Sequence, residues 1–154
     1  MPSTENTARH YCPTTHADAT PCGGTAAWGS ARRMERAAVA LLTLHAMGGV
    51  DFDAQTYRCP LTGAVVPFGT AFDVDRTVAG ACYVQGAFVL TTKAGNAARN
   101  TQGDPSEAWT ARYVQAVAAA AATVTVPNAA ECARLYRLIA PREVAVTISD
   151  TPWW

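Results

Sequence analysis

Lysine is nearly missing from this chain: only one of its twelve basic residues is a lysine, and twelve acidic residues cancel the whole set. A protein that holds nucleic acid mainly through its phosphates usually carries a basic excess, so the balance counts against that class as a whole-molecule property. A local patch of Arg32, Arg33 and Arg36 is still available. Long apolar runs are lacking too, and none reaches the roughly 20 residues that cross a bilayer. The opening Met-Pro-Ser-Thr-Glu-Asn-Thr has neither the basic start nor the apolar core of a secretory signal. The expectation is a cytoplasmic product with no membrane partner. In such a compartment the five cysteines (12, 22, 59, 82 and 132) are thiols or metal ligands rather than disulfides. Histidine is sparse as well, at three positions: His10, His16 and His45.

What is abundant is apolar residue, at 49% of 154 positions, which suits one compact domain with extensions. Residues 1–28 are rich in Thr, Pro and Gly without sustained period and read as an irregular arm. Met34, Ala38, Leu41, Leu42 and His45 recur at helical spacing, predicting a helix over 30–47 that Gly48-Gly49 stops. His45 on that stripe reads as a core or boundary residue. The arginines in the first turns oppose the helix dipole and call for compensation by Glu35, another element or an anionic partner. Residues 59–69, with Pro60, Gly63, Pro67 and Gly69, read as a knuckle or turn region. Alternation predicts short strands at 72–75 and 87–91, and a short helix follows at 93–102. Beyond it, Asp104-Pro-Ser-Glu107 reads as a helix start with cap, Pro at N1 and acid at N3. Trp109, Tyr113, Val117 and Ala120 form that helix's stripe, and the alanine run after it permits close packing. Thr123-Val-Thr-Val126 reads as a strand, Asn128 to Glu131 as a second capping pattern, and Cys132, Leu135 and Leu138 or Ile139 as an inward face. Val144, Val146 and Ile148 alternate as a last strand, which with 123–126 would make a β-α-β unit.

Four short motifs in the middle carry the chemistry: Cys59-Pro-Leu-Thr-Gly63, Asp73-Val-Asp75-Arg76, Tyr83-Val-Gln-Gly-Ala87-Phe-Val-Leu90 and Gly95-Asn96-Ala-Ala-Arg99. In that order and spacing they resemble the HNH (ββα-metal) endonucleases, especially the compact ones of bacteriophages. The resemblance implies an α+β fold: a central ββα-metal unit with an N-terminal helix and a C-terminal helical and β appendage. The expected divisions are an arm at 1–28, a helix plus HNH-like unit at 29–104 and the appendage at 105–154.

By the same resemblance Asp75 stands at the metal-binding Asp, Arg76 at the general-base His, Ala87 at the central Asn and Asn96 at the last metal-shell position. Such a nuclease needs a divalent metal on the scissile phosphate and a base to activate water. Arginine stays protonated, so Arg76 can hold phosphate but not accept that proton, and Ala87 can do neither job. Asp73 lies two residues before Asp75, on the same strand face, where two carboxylates could share a metal. For the zinc that this family often carries, Cys59 matches one ligand, while Thr62, Thr92 and Gly95 stand at the other three. Four Cys or His ligands are the rule, so no structural zinc is expected. Packing around Leu61, Val65, Val66, Phe68 and Leu90 would have to replace it. A separate metal group of Cys12, His16 and Cys22, completed by Cys59, fits no established spacing.

Each residue also has a plain structural reading: Asp75-Arg76 as an ion-paired strand end, Asn96 as a helix N-cap. The preferred expectation is a degenerate, non-catalytic HNH-like protein with a binding or structural role, a phage virion component being one version. It needs no cofactor. Its partners would be other protein subunits of a capsid or tail, in the host cytoplasm or the virion. Trp153-Trp154 would make a contact with the chain or a partner. The alternative is an active DNA endonuclease using Mg or Mn, with Asp75, Arg76 and Asn96 catalytic and Asp75, Asn96 and Asp73 on the metal. A third class, a soluble module that blocks or recruits another protein, has no feature that selects it.

Overall fold

The computed structural model describes residues 30–78, 83–102 and 106–142. The arm with Cys12, His16 and Cys22, the stretch 144–148, and Trp153-Trp154 lie outside them. The chain is mixed α+β. In order come α1 (Ser30–Ala46), β1 (Val50–Asp51), β2 (Thr56–Arg58), β3 (Val65–Pro67), β4 (Phe72–Arg76), β5 (Phe88–Thr92), α2 (Lys93–Gln102), α3 (Glu107–Ala121) and α4 (Ala129–Ile139). The strands form two small antiparallel sheets, β1-β2-β3 and β4-β5. No described helix is long and apolar enough to cross a membrane.

Helix α1 is the centre of the core. Its stripe predicted one buried face, yet Ala37, Ala38, Val39, Ala40 and Leu41 are all buried, with Thr43 and Leu44 beyond them. Burial all round follows because α4, α3 and β5 each pack against this one helix. Small residues make that possible, since alanines let neighbours approach closely. The Thr43 hydroxyl donates to the Val39 carbonyl at 2.8 Å, which satisfies it within the helix. His45, expected at the core or its boundary, is exposed and meets the Phe52 ring edge-on at 5.0 Å between centroids. Gly48, at φ +84°, takes the left-handed turn that ends α1.

The C-terminal helices complete the core from the other side: Tyr113 and Val117 of α3, and Cys132, Leu135 and Ile139 of α4, are buried in it. Ser106, and not Asp104, is the N-cap of α3, its side chain accepting from the Trp109 N–H at 3.1 Å. Its β-region backbone and short hydroxyl reach that donor. Asn128 caps α4 as its pattern predicted, accepting from the Glu131 N–H at 2.9 Å. The strand expected at 123–126 does not form. Val124 instead donates to the Ala121 carbonyl at 3.0 Å and accepts from Gln85 Nε2 at 3.3 Å, and no strand among the described residues pairs with it. Local alternation cannot supply that partner.

β4 and β5 pair from Phe72 opposite Thr92 to Arg76 opposite Phe88, and β5 runs directly into α2. All five residues of β5 are buried, between α1 on one side and β4 on its edge. The core location makes a clear expectation. Leu41→Ala should destabilise the protein by about 2–5 kcal/mol in urea denaturation. Val65→Ala, at a residue 56% exposed although it was expected to pack, should stay within about 0.5 kcal/mol.

Candidate functional site

Strand periodicity and helical periodicity meet at β4 and α2. On β4, Asp73 and Asp75 are two residues apart and share a face; on α2, Asn96 and Arg99 are three apart and share another. The structure joins them as two rungs. Asn96 Nδ2 donates to Asp73 Oδ2 at 3.0 Å, and Arg99 Nη1 is ion-paired with Asp75 Oδ2. Asn96 is therefore inside α2 and bonded across to β4, which excludes the N-cap reading. Asp75 is ion-paired across to α2, not merely at its own strand end.

Asp75 is the most deeply held of the set. Its side chain is 7% exposed and that of Arg99 10%, so the pair is withdrawn from water. Tyr113, from α3, donates its hydroxyl to the same Oδ2 at 2.7 Å. Arg99 also donates to the Thr77 carbonyl at 3.2 Å and lies 5.4 Å from the Tyr113 ring centroid. A buried carboxylate needs such compensation, because losing water costs several kcal/mol (roughly) that only close donors return. Sequence reasoning assigns neither Arg99 nor Tyr113 a role at the site. Arg99 was discoverable by its i, i+3 relation to Asn96; Tyr113 read as an ordinary stripe residue.

Beside the pair opens a cleft of about 110 Å³ lined by Asp75, Arg76, Tyr83, Asn96, Arg99 and Asn100. Arg76 points its guanidinium over the Tyr83 ring at 4.9 Å, and Arg36 of α1 reaches the same ring at 4.7 Å. Burial lowers the Arg36 pKa from its usual value, and repulsion from Arg33 adds to this against the attraction of Tyr83. Ala87 donates its N–H to the Val84 carbonyl at 2.8 Å and directly precedes β5.

The second constellation forms around Cys59. Its N–H donates to the Ala64 carbonyl at 2.8 Å and its carbonyl accepts from Gly63 at 2.7 Å, closing a tight knuckle. Thr92 donates its N–H to Cys59 Sγ at 3.5 Å, and Gly95 donates to Thr92 Oγ1 at 3.0 Å. A Cβ on Gly95 would stand 2.8 Å from Cys59 Sγ, 2.9 Å from Thr92 Oγ1 and 3.2 Å from Thr62 Cγ2. Positions 59, 62, 92 and 95 thus converge on one spot. Burial pushes the Cys59 thiol up, but hydrogen bonds from the Thr92 side chain and backbone, Thr62 and Leu61 together bring it below its usual value.

Both constellations are bonded internally. At the knuckle Cys59 supplies one thiol, and both hydroxyls already accept: Thr92 from Gly95, and Thr62 from the Ala64 N–H at 3.2 Å. At the cleft, Asp75 Oδ2 is taken by a cation and a phenol. A separate apolar groove of about 650 Å³ runs along Ala64, Val66, Ala71, Ala94 and Ala97.

Comparison of the chain with protein-family models, with curated proteins and with solved structures finds no match.

Two predictions follow from the burial. Gly95→Ala should destabilise by about 1–3 kcal/mol in thermal or urea melts, since the new methyl overlaps Cys59 Sγ and Thr92. Burial raises the Tyr113 phenol, reinforced by the Asp75 charge and hydrogen bond; burial likewise raises Tyr57, with Cys59 and Asp73 adding to it. The unfolded chain ionises these phenols near pH 10 (about) while the folded one keeps them neutral. Above that value the unfolded state therefore binds fewer protons, and stability must fall as pH rises through it. Phenolate absorbance should show both tyrosines silent until the protein unfolds; early, reversible ionisation of all five tyrosines would contradict this.

Proposed function

We propose that this chain is an HNH-derived domain whose catalytic centre has been converted to structural use, and that it works by binding, as a non-catalytic component of a larger assembly such as a phage virion. The strand-strand-helix order of β4, β5 and α2, and the convergence of positions 59, 62, 92 and 95, support the ancestry. One observation carries the loss of activity: Asp75, the carboxylate a metal would need, is buried under Arg99 and Tyr113. Arg76 adds to it, because a guanidinium held over Tyr83 cannot take a proton from water. The apolar groove beside the knuckle suits contact with a protein subunit better than with phosphate.

An active nuclease is the second reading, favoured by the cleft in which Asp75, Asn96 and Arg76 all meet. It would require Arg99 to leave Asp75. Supercoiled plasmid incubated with the purified protein and Mg²⁺, Mn²⁺ or Ni²⁺ separates the two. No nicking above background is expected with any of the three ions. Nicking that disappears in Asp75→Ala would overturn the non-catalytic reading.

A further inference from the structure

We infer that Arg99 is the resident cation of this site and that Tyr113 locks it there, so that the cluster serves as a joint between α3 and the β4–α2 unit. The inference rests on the HNH-derived reading above and deepens it.

Asp75 Oδ2 accepts from two side chains, the Arg99 guanidinium and the Tyr113 hydroxyl, the latter at 2.7 Å. Those partners lie 24 and 38 residues away in sequence, on α2 and α3, so one oxygen ties together three separate segments. The guanidinium is fixed from three sides. It pairs with Asp75, donates to the Thr77 carbonyl at 3.2 Å, and lies 5.4 Å from the Tyr113 ring centroid. Carboxylate and guanidinium cancel, and the phenol closes the pair without adding charge. A divalent ion on Asp75 would sit within a few ångströms of that guanidinium, where like charges repel strongly in a site with little water. Occupation by the arginine therefore competes with occupation by a metal ion. Trp109, one turn earlier on the same helix, packs on the Tyr113 ring at 4.9 Å between centroids and braces that ring.

Removing the guanidinium should expose what it neutralises. Asp75 and Asp73 would then stand two residues apart on one face without the Arg99 guanidinium beside Asp75. In Arg99→Gln the melting temperature should fall by about 10 °C. Excess Mn²⁺ should restore about 5 °C of that loss. Wild type should show no Mn²⁺ response, and neither should the Asp75→Asn/Arg99→Gln double variant. Tyr113→Phe should lose a few degrees and stay insensitive to Mn²⁺, because the arginine remains. An Arg99→Gln variant that melts like wild type, or one that is destabilised but deaf to Mn²⁺, would overturn the proposal. If Arg99→Gln does not fold, wild type decides. Mn²⁺ relaxation broadening of backbone amides should spare residues 73–76 and 96–99, and broadening centred there would refute a resident arginine. Such broadening without plasmid nicking would sink this inference alone, whereas Asp75-dependent nicking by wild type would sink the reading it rests on.

Discussion

The rest of the structure is organised about one oxygen atom, Oδ2 of Asp75. Strand β4 brings it to the interior, α2 supplies the guanidinium beside it, and α3 supplies the hydroxyl. A carboxylate so withdrawn from water is a liability unless both charge and hydrogen bonding are met locally. Meeting them constrains three elements at once. The helix α3 must lie where Tyr113 can reach, α2 must present Arg99 on the same face as Asn96, and β4 must keep its register with β5. The hydrophobic core agrees with this arrangement, since Tyr113 belongs both to the cluster and to the layer packed on α1.

The knuckle around Cys59 shows the same economy with different chemistry. Four positions still meet at a point, but the contacts there are a thiol, two threonines and the bare Cα of a glycine. Hydrogen bonds from Thr92 and Gly95 close it. A metal joins segments distant in sequence because it binds four ligands strongly; here the joining falls to a tight turn, a close approach at Gly95 and apolar packing. On the reading proposed here the cleft followed the same course, with an arginine in place of an ion.

Much of this was legible one segment at a time. The helix periods at α1, α2, α3 and α4 are local properties, as are the Asn128 cap and the left-handed stop at Gly48, because each depends on neighbours within a turn of the chain. The strands were legible only where a partner exists. Phe72-Asp-Val-Asp75 pairs and forms, while Thr123-Val-Thr-Val126 has the same alternation but no paired strand among the described residues, and does not. The same limit explains Val65, which reads as apolar filler and lies in the outer part of β3.

At the site the division is sharper. The sequence by itself determined which groups are available: carboxylates at 73 and 75 on one strand face, an amide at 96, arginines at 76 and 99, and a thiol at 59. Residue type sets protonation and ligand chemistry without reference to the fold. Only the tertiary structure decided what each carboxylate does. Asp73 meets an amide and Asp75 meets a cation and a phenol because α2 and α3 pack where they do, and burial, not sequence distance, sets the strength of that encounter.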